Sequence, residues 1–142
     1  MPLNRATQSD RSGPAQVGPE GPLQVLVVED DPVFAHLIEH VLARKGFAVT
    51  VAVDGQRAQQ MLTQPPPAVV VLDVMLPFVG GFELIERFRG TPEWARVPIL
   101  MLTSKANENY VVRAFGAGVS DYMTKPFRPE ELAARVRRLA IG

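Results

Sequence analysis

Five residues of this chain have side chains that could do chemistry together: Glu29, Asp30, Asp73, Thr103 and Lys125. Three are carboxylates, one is a hydroxyl and one an amine. Carboxylates gathered in one cleft repel each other unless a cation neutralises them. Oxygen-only ligands favour a hard cation such as Mg2+, which keeps several waters and also binds phosphate oxygens. A lysine adds positive charge and a threonine adds a hydrogen-bond donor. The set therefore suits a phosphoryl group in transfer. Asp73 is the natural nucleophile, forming an aspartyl phosphate. The metal and Lys125 would stabilise charge on the phosphoryl oxygens. Taken singly, each residue has a plainer reading. Lys125 is then a surface lysine, Thr103 a strand-end hydroxyl, Glu29 and Asp30 a solvated turn, and Asp73 the cap of a following turn.

The elements around these residues decide between the two readings. Val69-Val70-Val71-Leu72 is an unbroken apolar run that ends in Asp73, and Pro77 stops the pattern. Such a run predicts a strand covered on both faces. Val25 to Val28 is a second short buried strand, and it ends in Glu29-Asp30-Asp31-Pro32. Pro32 suits the first turn of a helix and Asp31 its N-cap. Val33, Phe34, Leu37, Ile38, Val41 and Leu42 recur at helical spacing, and Gly46 ends that helix. Phe47 to Val53 alternates large and small side chains, as an edge strand does. A short helix with Ala58, Met61 and Leu62 follows, broken by Pro65-Pro66-Pro67. After Asp73, Gly80-Gly81 precedes a helix carrying Phe82, Ile85 and Phe88. Val97 to Leu102 is another apolar strand, ending in Thr103. A helix from about Ala106 to Phe115 closes at Gly116. Val119 to Met123 is the last strand, ending in Thr124-Lys125-Pro126-Phe127. The final helix turns Leu132, Ala133, Val136, Leu139 and Ala140 inward. Five strand–helix units in strict alternation predict an α/β fold: a parallel sheet with helices on both faces. The C-terminal strand ends then share one edge, and all five candidate residues can converge there.

Bulk properties narrow the classes. The chain has 142 residues, enough for one domain with a real core. Residues 1–22 are rich in Pro, Gly, Ser, Gln and Asn and read as a disordered tail, ahead of one domain over 23–142. The 15 basic and 15 acidic residues balance, which gives no case for broad nucleic-acid or membrane attraction. With no cysteine, disulfides, thiolate catalysis and Cys-ligated zinc are excluded. His36 and His40 lie four apart on the first helix, but no H-E-x-x-H motif accompanies them, so they read as polar-face residues. No apolar run reaches the length of a membrane span and no signal-peptide core is present, so a cytoplasmic protein is expected.

Four separated segments resemble the receiver domains of two-component response regulators. They are Val27-Val28-Glu29-Asp30-Asp31-Pro32, Leu72-Asp73-Val74-Met75-Leu76-Pro77, Met101-Leu102-Thr103-Ser104-Lys105-Ala106, and Gly116 through Phe127 with its Asp121-Tyr122-Met123-Thr124-Lys125-Pro126 core. The resemblance runs from Leu23 to Ile141. It implies the doubly wound (βα)5 fold of flavodoxins and chemotaxis regulators, with strand order 2-1-3-4-5. It implies that Asp73 is a phosphoacceptor, charged by a histidine kinase, a phosphotransfer protein or a small phosphodonor. Mg2+ would be held by the Asp30 and Asp73 carboxylates and the Met75 backbone carbonyl. Glu29 stands where the family more often has Asp and would reach the metal through water. Lys125 would contact a phosphoryl oxygen. Thr103 would swing toward the phosphoryl group and Tyr122 rotate inward with it. The Lys125–Pro126 bond is expected to be cis, a conformation essentially confined to X–Pro bonds.

By the same resemblance, new charge at Asp73 shifts the face made by the fourth helix, fifth strand and fifth helix. A downstream protein or a second copy of the chain then reads that face. Ser120 replaces an acidic residue used in dimer contacts by one large subfamily, and Gly80 stands where many relatives have Asp. The sequence stops at Gly142, directly after the last helix, so a single-domain regulator acting through a protein partner, without direct contact to nucleic acid, is expected. It would not be an enzyme beyond accepting its own phosphoryl group and slowly losing it. The alternative is a receiver-like scaffold that works without phosphorylation, although such a scaffold has no need of the set Asp30, Asp73, Thr103 and Lys125. A phosphatase of the haloacid-dehalogenase type would want a second Asp where Met75 stands. A flavin carrier would want a phosphate loop where Glu29-Asp30-Asp31 would repel one.

Overall fold

The computed structural model describes residues 17–18, 21–73, 79–104 and 108–142. Met75 therefore lies outside the described residues. Five strands, β1 (Gln24–Val28), β2 (Ala48–Ala52), β3 (Val69–Asp73), β4 (Ile99–Thr103) and β5 (Asp121–Thr124), form one parallel sheet. Their order is β2-β1-β3-β4-β5, the expected 2-1-3-4-5. A separate two-residue pairing, Val17–Gly18 with Gly21–Pro22, precedes the sheet within the stretch expected to be a disordered tail. The connecting helices are α1 (Pro32–Arg44), α2 (Gly55–Gln60), α3 (Gly81–Gly90), α4 (Glu108–Ala117) and α5 (Pro129–Ile141).

Side chains alternate across a strand, so each central strand feeds two cores. Val25, Val27, Val69, Val71, Leu100 and Leu102 point toward Ile38, Leu42, Leu132 and Val136 of α1 and α5. Leu26, Val28, Val70, Leu72, Ile99 and Met101 pack on the other face with Leu84, Ile85 and Phe88 of α3, and with Trp94. All of β3 and all of β4 are buried, as their unbroken apolar runs require. Burying one such Val or Leu contributes roughly 1.5–3 kcal/mol.

The helix ends follow local chemistry. Asp31 caps α1 by accepting from the Val33 amide at 2.9 Å, and Pro32 takes the first helical position. Gly46, at φ 95°, closes α1 with amide bonds from Gly46 to Ala43 and from Phe47 to Leu42. Helix α4 does not close at Gly116 as expected. It continues through Ala117, and Gly118 (φ 109°) makes the left-handed exit, with amide bonds from Gly118 to Phe115 and from Val119 to Ala114. Of the two glycines, the one that ends the helix is the one whose backbone needs positive φ.

Opposite the candidate edge, Arg89 at the end of α3 gathers the loops that lead into β4 and β5. Its guanidinium donates to the carbonyls of Gly118, Trp94, Ala95 and Val97 over 2.7–3.4 Å. On the outer strand, Asp121 accepts from Arg135 at 2.8 Å and Arg138 at 2.7 Å, tying α5 to β5.

Candidate phosphoryl and metal site

Strand register sets the site. Val28 pairs with Leu72, so Glu29 and Asp73 stand side by side one step further along. Thr103 pairs with Thr124, and the next residue, Lys125, donates its amide to the Thr103 carbonyl at 2.8 Å. The Lys125–Pro126 bond is cis, as expected.

An open cleft at this edge is lined by Glu29, Asp30, Asp31, Phe34, Asp73, Ser104, Lys125 and Pro126. Carboxylate oxygens of Glu29, Asp30 and Asp73 lie within 4.8 Å of one another. Glu29 and Asp73 are buried, while Asp30 is exposed at the rim. The Lys125 ammonium reaches in and donates to Glu29 Oε1 at 2.8 Å and to Asp73 Oδ2 at 3.1 Å. The Asp31 amide donates to the other Glu29 oxygen at 3.1 Å.

The electrostatics follow from this geometry. Burial pushes the Glu29 carboxyl up to about 7; Lys125 and the Asp31 amide pull it down, and the Asp73 charge raises it. Burial alone would lower the Lys125 ammonium, but its hydrogen bonds to Glu29 and Asp73 outweigh that and hold it above the ordinary lysine range. One ammonium faces three carboxylates, so the cluster carries excess negative charge. The donor atoms are all oxygen, close together and partly open to solvent. That set fits a hard divalent cation with waters completing its shell.

Thr103 and Tyr122 are placed differently. Thr103 is fully buried at the end of β4, beside the cleft but not among its lining residues. Tyr122 is half-buried on β5 and meets Phe115 of α4 edge-on, with ring centroids 6.1 Å apart. Two features were not foreseen from sequence. Glu29 is bonded directly to Lys125. Phe34, read only as a helix residue, lines the cleft with its ring centroid 4.5 Å from Lys125 Nζ. The helical spacing of Phe34 hid its position one turn after the acidic pair.

Comparison with known proteins agrees with this architecture. The family model described as the response regulator receiver domain matches residues 25–137. The DNA-binding dual master transcriptional regulator RpaA of Synechocystis is 40% identical over 116 residues, 82% of this chain and 48% of that protein. The chain thus spans about half the length of the curated relatives it matches. A solved response-regulator candidate from Chloroflexus aurantiacus is 36% identical with a TM-score of 0.81, covering 85% of this chain and 99% of that one. The receiver domain of a sensor histidine kinase from Pseudomonas aeruginosa, solved with magnesium in its active-site cleft, is 31% identical. Its TM-score is 0.79, with 84% of this chain and 98% of that one covered. By fold and by the extent of the match, this chain belongs to the response regulator receiver domain family.

Proposed function

We infer that Asp73 accepts a phosphoryl group and that the chain is a phosphorylation-dependent switch in two-component signalling. The observation that carries this reading is the convergence of Glu29, Asp30, Asp73 and Lys125 in one cleft. In the transfer, an Asp73 carboxylate oxygen attacks phosphorus and an O–P bond forms. The bond from phosphorus to the donor's leaving atom, an imidazole nitrogen or an acyl oxygen, breaks, and its electron pair goes with the leaving group. Lys125 already sits beside Asp73 and donates to an oxygen of the incoming group. Thr103 supplies a hydroxyl from the end of β4, and Tyr122 follows it inward.

Asp30 and Asp73 would hold Mg2+ through carboxylates and Glu29 through a bridging water, with the Met75 carbonyl as a further ligand. Bound there, the ion would neutralise the excess negative charge and withdraw charge from the phosphoryl oxygens. The magnesium in the cleft of the Pseudomonas receiver supports this assignment.

The partners proposed are a histidine kinase or phosphotransfer protein upstream and a protein target downstream. The target, or a second copy, would read the α4–β5–α5 face. A cytoplasmic location rests on the sequence reading. No helix among the described residues is long and apolar enough to cross a membrane.

Intact mass after incubation with acetyl phosphate tests the reading. One Mg2+-dependent phosphoryl adduct, lost in Asp73→Asn, is expected. No adduct in folded protein, together with no beryllofluoride binding, would favour the scaffold alternative.

A further inference from the structure

We propose that Phe34 is a positioning residue for phosphoryl transfer: the face of its ring is the third partner of the Lys125 ammonium. The inference rests on the phosphoacceptor role given to Asp73 above. An ammonium has three protons. In this structure Nζ has two carboxylate partners, Glu29 at 2.8 Å and Asp73 at 3.1 Å, and lies 4.5 Å from the centroid of the Phe34 ring. The negative face of an aromatic ring attracts a cation at that range.

The ring is itself held. Phe34 packs against Phe127 with centroids 6.2 Å apart and planes tilted by 47°. Phe127 follows directly on the Lys125-Pro126 turn. The aromatic pair therefore links the first turn of α1 to the loop that presents the lysine. Nζ already lies 3.1 Å from Asp73 Oδ2, so an oxygen joined to that carboxylate can be reached while Nζ stays over the ring. The ring thereby preorganises Lys125 for the transfer. An aliphatic residue would fill the space, but it would leave the third N–H to water and the lysine stem free to move.

The test replaces Phe34 with its mono-, di- and trifluorinated analogues, which keep its shape and progressively weaken the negative ring face. Phe34→Tyr and Phe34→Leu extend the series. The phosphorylation rate is measured with acetyl phosphate at saturating Mg2+, so no kinase docking enters. The expected result is a graded fall of roughly two- to fivefold from Phe to the trifluoro ring, a similar fall in Phe34→Leu, and a near-native rate in Phe34→Tyr. A second readout needs no phosphorylation. The ring should shift the Lys125 side-chain methylene resonances in native protein, and Phe34→Leu should return them toward free-lysine positions. Equal rates across the fluorinated series, with native protein phosphorylated normally, would overturn the proposal, because packing alone would then be at work. Faster transfer on fluorination would overturn it too, since the ring would be restraining the lysine. Absence of an adduct in native protein would instead strike the Asp73 assignment, and the proposal would fall with it.

Discussion

Glu29 makes the isolated protein's stability fall as pH rises, opposite in direction to a carboxylate whose folded pKa is depressed. Burial pushes its folded carboxyl up to about 7, against an ordinary value of 4.5. The folded state therefore holds a proton that the unfolded chain has already released. This contribution to stability is fully present below the unfolded value and is lost as pH rises through 7. The difference of about 2.5 units corresponds to roughly 3 kcal/mol. The side chain is only 1% exposed, so solvent screens it little. Lys125 does not interfere in this window: its raised pKa keeps its contribution constant until the pH passes the ordinary lysine range. Urea unfolding in EDTA from pH 5 to pH 8 should lose roughly 2–3 kcal/mol of that, or about 6–9 °C in Tm. Glu29→Gln should flatten that profile, because the amide does not titrate. Saturating Mg2+ should cancel or invert it, because the cation favours the ionised cluster. Equal pH slopes in native and Glu29→Gln protein would refute the reasoning.

Further predictions follow from the same contacts. Lys125→Met leaves two buried carboxylates facing each other, at a cost of about 3–5 kcal/mol in EDTA at pH 8; urea titration reads it, and Glu29→Gln in the same chain should recover part of the loss. Mg2+ binding at pH 7 should release about half a proton, seen by calorimetry in buffers of different ionisation enthalpy; release that does not diminish by pH 8.5 would speak against Glu29 as the source. Arg89→Met strips a cation from four loop carbonyls and should cost about 3 kcal/mol in urea unfolding, while leaving the rate of phosphorylation by acetyl phosphate unchanged.

The sheet was legible because its central strands are buried on both faces and so lack alternation. Val69 to Leu72 and Ile99 to Leu102 could be read as interior strands without knowing what covers them. The site was legible because Glu29, Asp73 and Thr103 each stood directly after such a run and Lys125 directly after the last strand, and register then brought Glu29, Asp73 and Lys125 together. Helix faces were harder. Val33 and Leu37 fit the spacing of the α1 core, yet Val33 is 75% exposed and Leu37 39%, while Ala35 is buried in their place. Hydrophobicity alone overlooked a small residue that packs well. Contacts made across the chain, such as Arg89 with Gly118 or Phe34 with Lys125, leave no local pattern. They exist only once the sheet brings remote loops together.

The Arg89 cluster has a mechanical consequence. Thr103 and Lys125 stand at the upper ends of β4 and β5, while Arg89 pins Val97 and Gly118, just ahead of the lower ends of the same two strands. A force applied near Asp73 therefore acts on a beam clamped at its far end. Such a beam answers by leaning about the clamp, with displacement greatest at the free tip and smallest at the root. Thr103 and Lys125 are the tip, and the Trp94 corner is the root.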